Sequence, residues 1–249
     1  VKRWLVQAYA YALVWLAKAG CWRLMAATDG VAKAYPTNKT LVVRNFPIAG
    51  ELGRLDTASR LSRPKRLVYL GGISEKRGIV ELVSAAERSL ALEGLDLIGK
   101  FETPALEAKV RAMPGWRKVC FHGYLGRKGL VEVLEQVRGG LVVLHATPNH
   151  LHSIPVKMME YFSVGLPIIA SDFPFWHKLA RVDETALMVD PLDIDQIAKA
   201  MEKLLEDEQF AAMSDAVLEG PQQQYVWQTE ADHMNAWLLA QLNRKNPSA

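Results

Sequence analysis

From residue 65 to residue 221 the sequence predicts an α/β fold. It is a Rossmann-like parallel sheet with helices on both faces, preceded by a short helical and strand remnant. Three observations carry this. Short apolar runs alternate with amphipathic helical stretches through the whole span. The runs are continuous, as in Leu67-Val68-Tyr69-Leu70 and Leu141-Val142-Val143-Leu144, which is the pattern of strands covered on both faces. Glycine-rich or polar loops follow them, at the strand ends where such sheets bind ligands.

In chain order, residues 1–28 read as helix. Trp4, Leu5, Ala8, Ala12, Trp15, Leu16, Ala19 and Trp22 recur at helical spacing, with Lys2, Arg3, Lys18 and Arg23 near the ends. Such a helix suits either a membrane surface or a neighbouring domain. The abundance of aromatics favours the domain contact. Because Val1 falls inside the helical pattern, the start reads as a cut through something longer, with initiator removal as the alternative. Asp29-Gly30 breaks the helix, a helical turn covers 31–35, and Leu41-Val42-Val43 is a strand ended by Asn45-Phe46-Pro47. Residues 48–64, with Gly50, Gly53 and Pro64, are the best linker.

Six strands are then expected, at 67–70, 95–99, 119–121, 141–144, 168–170 and 186–189. Helices are expected at 79–92, 104–113, 128–137, 155–164, 175–180, 193–206 and 210–218. A last long helix is expected at 222–242. The divisions are 1–47, the linker 48–64, a core domain 65–221 and a terminal helical segment 222–249.

Composition excludes several classes. The chain has 249 residues, 50% of them hydrophobic, and a net charge of +3, which gives no argument for nucleic acid. Cys21 and Cys120 are far apart and match no ligand spacing, so a reducing cytosol is expected. The apolar run Trp4–Ala17 falls short of the ~20 residues of a membrane span. Its Trp and Tyr content argues against a secretory leader.

The most informative stretch is 149–170, NHLHSIPVKMMEYFSVGLPIIA. A polar loop, 149–153, leads to a helix opened by Pro155. The free amides of a helix start and its dipole favour an anion such as phosphate. Lys157 and Glu160, three apart, sit on one face. A cation near a phosphate and a carboxylate that accepts bonds from sugar hydroxyls suit a nucleotide. The loop Gly71-Gly72-Ile73-Ser74-Glu75-Lys76-Arg77-Gly78 leaves a strand for a helix at the same sheet edge. Its glycines admit a phosphate, and Lys76 or Arg77 neutralises it. It lacks the G-x-G-x-x-G of nicotinamide-cofactor sites and the Walker lysine.

Taken together these residues resemble the nucleotide-sugar half of a GT-B glycosyltransferase of the family 4 (group 1) type. The matching segments are Tyr69–Ser74 with Arg77-Gly78, Phe121-His122-Gly123-Tyr124, and Pro155-x-Lys157-x-x-Glu160-Tyr161 with Gly165-x-Pro167-Ile168-Ile169-Ala170-Ser171. The likeness runs from 65 to the end. It extends back, more weakly, through 27–32 and 43–47, which resemble the tail of that family's acceptor-binding first domain.

The resemblance implies that Glu160 holds the ribose hydroxyls and that Gly71, Gly72 and Arg77, with Lys76 as a second cation, form the diphosphate loop. Tyr124 and Leu125 fall where the base is contacted, and Lys157 lies near the phosphates. Loop 149–154, including His152, meets diphosphate and sugar. His152 stands where many members carry a second glutamate, and Gly72 where many carry an arginine. No catalytic acid or base is assigned. His122, His145, His150 and His152 match no zinc spacing and have few carboxylates nearby in sequence, so no metal is expected. Ser153 has no nucleophile-elbow glycines.

The expected function is therefore sugar transfer, with retention, from a nucleotide-diphosphate sugar to an acceptor hydroxyl. The resemblance implies a cell-surface polysaccharide or lipid-linked glycan as acceptor and no cofactor. It implies a cytoplasmic site, with peripheral attachment to the inner face of the membrane as an option. The exposed N- and C-terminal helices would meet a partner chain or a second copy. The alternatives are a non-catalytic nucleotide-sugar-binding half that needs a partner, and a nucleotide-sugar isomerase on the same scaffold.

Overall fold

The computed structural model describes residues 3–53 and 56–245. The chain forms two units, one of residues up to Phe46 with the chain from Trp227 onward, the other Pro47–Val226. The first unit opens with α1 (Arg3–Gly20), β1 (Leu24–Ala26), α2 (Asp29–Ala32) and β2 (Thr40–Val42). The helix expected to reach residue 28 stops at Gly20, a poor helix residue. Residues 24–26 instead pair in parallel with 40–42. Asp29-Gly30 does not break a helix but opens one, because the Thr28 hydroxyl accepts from Val31 N at 3.2 Å and caps it.

The second unit carries β3 (Arg66–Leu70), α3 (Ile79–Arg88), β4 (Gly94–Ile98), α4 (Pro104–Arg111) and β5 (Val119–Gly123). It continues through α5 (Arg127–Leu134), β6 (Gly139–Val142), α6 (Pro148–His152), α7 (Val156–Ser163) and β7 (Ile168–Ser171). It closes with α8 (Pro174–His177), β8 (Ala186–Val189), α9 (Ile194–Leu205), α10 (Asp207–Glu219) and α11 (Pro221–Gln224).

The six strands are parallel in the order β5-β4-β3-β6-β7-β8. Helices α3 and α9 bury Ile79, Leu82, Val83, Ile197, Met201 and Leu204 against the sheet, in one core with Leu67, Leu95 and Leu141. Fully burying each such side chain stabilises by about 1.5–3 kcal/mol. Within 48–64, Leu52 and Arg63 are buried and Arg60 pairs with Asp215.

Three further expectations need correction. Helix α3 ends at Arg88 and not at Leu92, because Ser89 turns extended and Leu92 drops into the core. Residues 149–153 are not a loop. Thr147 caps His150 N and Pro148 fills the first turn, so α6 forms there. The single helix expected over 222–242 is two, since Tyr225, at φ −101° and ψ 66°, separates α11 from α12 (Trp227–Lys245). In the first unit, Glu230 of α12 accepts from Arg44 N at 2.8 Å. Gln241 accepts from Arg23 at 2.6 and 3.1 Å.

The sheet topology places the site. The chain builds outward from β3 through β4 to β5, then crosses to β6 on β3's other side and builds outward again. The crevice above the carboxyl ends of β3 and β6 is the topological switch point, where ligands bind in open α/β sheets.

Candidate functional site

A cleft of about 290 Å³ lies at that switch point, lined by Leu70, Gly71, Arg77, Leu144, His150, Ser153, Pro155, Val156, Lys157 and Glu160. Beside it lies a second of about 440 Å³ that shares Arg77 and His150 and adds Ser74, Lys76, Thr147, Pro148 and Asn149. Two sequence segments far apart thus face each other, the glycine loop after β3 and the start of α7.

Hydroxyl groups lock these segments together. The ladder between β3 and β6 pairs only Leu67 with Gly139 and Val68 with Gly140. Beyond it the Tyr161 hydroxyl of α7 takes over, accepting from Leu70 N at 2.9 Å and donating to Val68 O at 3.2 Å. The Tyr161 ring lies where a Cβ on Gly140 would be, so only glycine fits there. On the far side, Trp176 Nε1 donates to Ser153 O at 2.9 Å and fixes the approach to Pro155. Gly78, at φ +71°, closes the glycine loop so tightly that a Cβ there would sit 2.4 Å from Val143 O.

The electrostatics are unusual at Lys157. The residue as a whole is half-buried, but its Nζ is shut off from solvent and has no hydrogen-bond partner. It stands 3.6 Å above the Tyr69 ring centroid. A desolvated cation–π contact is worth about 2 kcal/mol, whereas taking an ion out of water costs several kcal/mol. The balance goes against the charge. Burial pushes the ammonium well below the usual lysine range, the Arg77 charge adds to the shift, and Glu160 opposes it. Burial also raises Glu160, against the pull of Arg127, whose Nη1 is 3.4 Å away and whose Nε meets Glu51 at 3.2 Å. No side chain caps α7, so its first amides face the cleft with the positive end of the dipole. The arrangement offers the Arg77 guanidinium, a lysine amine, a helix start and a raised carboxylate to a ligand that brings negative charge and hydroxyls.

Gly71, Arg77, Lys157 and Glu160 line the first cleft, and Lys76 and Arg77 the second. Gly72 lies between them. Its carbonyl accepts from Tyr69 Oη at 2.6 Å and Arg77 Nη1 at 3.2 Å, and a Cβ on it would meet that Nη1 at 2.8 Å. The guanidinium of Arg77 therefore occupies the place that a side chain at 72 would take. Leu125 lines a separate cavity of about 480 Å³, while Tyr124 and His152 are exposed and line none of these three. Sequence reasoning missed the roles of Tyr69, Tyr161 and Arg127, whereas His150, in the loop expected to meet diphosphate and sugar, lines both clefts. Tyr69 and Tyr161, both inside matched segments, carried a local signal, and Arg127 carried none.

The expectation that the histidines have few carboxylates near them is corrected by the fold. His122 Nε2 lies 2.7 Å from Asp96 Oδ1, and His145 Nε2 lies 3.1 Å from Glu81 Oε1. Ligating atoms of Asp96, Cys120 and His122 gather within 4.8 Å. Asp96 and Cys120 are register partners on β4 and β5, a closeness invisible in sequence. Arg66 already grips both Asp96 oxygens, at 2.8 and 2.6 Å, so the group is satisfied as an ion-pair network.

Residues 64–207 match the family described as glycosyl transferases group 1. Among curated proteins the chain is similar to the alpha-D-kanosaminyltransferase of Streptomyces kanamyceticus. The two are 25% identical over 146 residues, covering 57% of this chain and 36% of that protein. The chain thus spans about a third of that relative's length. Among solved structures it is similar to Anabaena Alr3699/HepE in complex with UDP and glucose, with a TM-score of 0.77 at 13% identity, covering 94% of this chain and 67% of that one. It is also similar to the sucrose-phosphate synthase of Thermosynechococcus elongatus, with a TM-score of 0.73 at 18% identity, covering 96% and 63%. These likenesses show the fold, six parallel strands with helices around them.

Proposed function

Because the chain belongs to the group 1 glycosyl transferases, we propose that its switch-point cleft holds the diphosphate and ribose of a nucleotide-sugar donor. In the whole protein that sugar passes to an acceptor hydroxyl. The observation that carries this is the unpartnered Lys157 Nζ, sealed over the Tyr69 ring in the wall of the cleft that Arg77 also lines. A leaving diphosphate gathers charge as the glycosidic bond breaks, and the Arg77 guanidinium and the helix amides stand ready to stabilise it. Gly71 and Gly72 let the backbone approach, Lys76 extends the positive lining, and Glu160 accepts from the ribose hydroxyls. The solved HepE complex with UDP and glucose supports a donor of that chemistry.

The finer parts of the reading rest on the family resemblance. They are a hexose donor, retention at the anomeric carbon, independence from metal, and a polysaccharide or lipid-linked acceptor. They also include the base near Tyr124 and Leu125, His152 beside the sugar, and work in the cytoplasm or at the inner membrane face.

One observation favours a second reading, a donor-binding half that works with a partner chain or a second copy. Helix α1 exposes Trp4, Tyr9, Tyr11, Trp15 and Leu16, and no described helix is long and apolar enough to cross a membrane. Large exposed aromatics of this kind suit a protein interface.

Calorimetric titration with uridine, guanosine and adenosine diphosphates tests the donor site. The parent should bind at least one of them, and Glu160→Ala should weaken that binding at least about tenfold, as losing charged hydrogen bonds would. A parent that binds none of them overturns the reading.

A further inference from the structure

We propose that Lys157 waits in the empty site as a neutral amine and becomes an ammonium only as the donor diphosphate arrives, so that each binding event takes up one proton. This rests on the donor-site reading above and deepens it.

Burial and the lack of any acceptor around Nζ favour a neutral resting state over the opposing pull of Glu160 and the Tyr69 ring. Below it is the Tyr69 ring of β3, 3.6 Å away, whose hydroxyl is turned to Gly72 O. Across the cleft is Arg77 of the glycine loop, a like charge. On α6 is His150, whose Nδ1 lies 2.9 Å from His145 O. On its own helix is Glu160, drawn toward Arg127, which also meets Glu51. None of these gives Nζ an acceptor. An ammonium there would carry three donors with nowhere to place them. Burial and the Arg77 charge accordingly favour the amine. A bound diphosphate reverses each term, since it brings acceptor oxygens and negative charge to the one wall that lacks both.

The glycine loop explains why the second cation comes from α7. With Gly72 bare and its space filled by Arg77, the loop points a single guanidinium into the first cleft. Lys157 supplies the other charge from beneath. A cation created by the ligand also discriminates between ligands. A diphosphate has the charge to draw the proton in, and a monophosphate or a bare nucleoside has less.

The test is calorimetry of the parent with uridine, guanosine and adenosine diphosphates at about pH 8, in two buffers of different ionisation enthalpy. There the terminal phosphate, with a pKa near 6 in phosphate esters, is already ionised. For whichever nucleotide binds tightest, the parent should take up about one proton per site, and its affinity should fall up to about tenfold per pH unit as pH rises. Glu160→Gln should keep the uptake, because a carboxylate that ionises on binding releases a proton instead. Lys157→Arg, charged at every such pH, should still bind but exchange no proton. Binding by the parent without net uptake, or uptake that persists in Lys157→Arg, overturns the proposal. Binding of no nucleotide at all is a different failure, which removes the donor site and this inference with it.

Discussion

The two ends of strand β3 hold buried ionisable groups in opposite conditions. At its start, Arg66 is locked to both oxygens of Asp96, and His122 closes the group at 2.7 Å. Nearby, the buried guanidinium of Arg138 meets the carbonyls of Arg63, Leu61 and Leu205 and the carboxylate of Asp207. At the other end, Lys157 has no partner and Glu160 is shared loosely with one arginine. The same sheet thus satisfies its charges completely at one end and leaves them unsatisfied at the other. A buried ion without a partner costs stability. A fold that solves this problem at one end and leaves it open at the other leaves room there for a ligand.

The sharpest way to break the contrast is to unpair the satisfied end. Asp96→Ala leaves Arg66 and His122 without their acceptor and should cost about 3 kcal/mol in urea unfolding. Affinity for inorganic pyrophosphate should be unchanged, because Asp96 lines a cavity separate from the diphosphate cleft, although one that Leu125 shares. Lost affinity with unchanged stability would mean that the two ends are not separate in role.

Lys157→Met should do the reverse. The protein keeps or gains stability, by about 1–3 kcal/mol, since a sealed donor without an acceptor is removed. Affinity for the diphosphate falls about ten- to a hundredfold, the worth of a charge-assisted hydrogen bond. The sign with pH follows from a folded pKa below the unfolded one. The parent has its full lysine contribution above the ordinary lysine value of 10.5 and loses it as pH falls through the depressed folded value. The stability gain of Lys157→Met should therefore be largest on the acid side of that range and vanish in strong alkali. Equal melting curves at all pH values, with unchanged affinity, would remove Lys157 from the site.

Much of this contrast was legible in the chain before folding, and the missing part has one physical cause. The six strands and most of their helices follow from local apolar periodicity, and the co-location of Gly71, Arg77, Lys157 and Glu160 follows from strand–loop–helix order. The strand at 24–26 was not legible, because three residues become a strand only when a partner such as 40–42 is beside them. The ring of Tyr69 beneath Lys157 and the guanidinium of Arg127 beside Glu160 depend on which strands are neighbours, which no local pattern states. Helix α6 is legible in the chain itself, since Thr147-Pro148 is a cap followed by a first-turn proline.

Tyr161→Phe sharpens the comparison from the side of the scaffold. The ring stays against Gly140, and only the hydroxyl between Leu70 N and Val68 O is lost. Leaving those two buried backbone groups unmet should cost about 1–2 kcal/mol. Lys157 and the glycine loop are both held by this stitch, so affinity should fall modestly along with stability. A loss of stability alone would show that the cleft keeps its shape without it.

The smallest effect is expected at Glu160, where burial outweighs the opposing pull of Arg127. Burial raises its carboxyl, Arg127 pulls it down, and Glu51 adds to the rise. Its folded pKa lies above its unfolded one, so its contribution to stability is whole below the ordinary glutamate value of 4.5 and is lost as pH rises through the folded value. Glu160→Gln should leave stability unchanged at acid pH and improve it slightly at neutral pH. Gln keeps a carbonyl acceptor for the ribose, so affinity should drop by only about 1 kcal/mol, the difference between charged and neutral hydrogen bonds. That drop should shrink as pH falls and the parent's own carboxyl protonates. Paired titrations of parent and Glu160→Gln at about pH 5 and pH 8 measure it. A gap that stays constant would show that Glu160 meets the ligand by shape and not by charge, and would move it from the unsatisfied end of the sheet to the satisfied one.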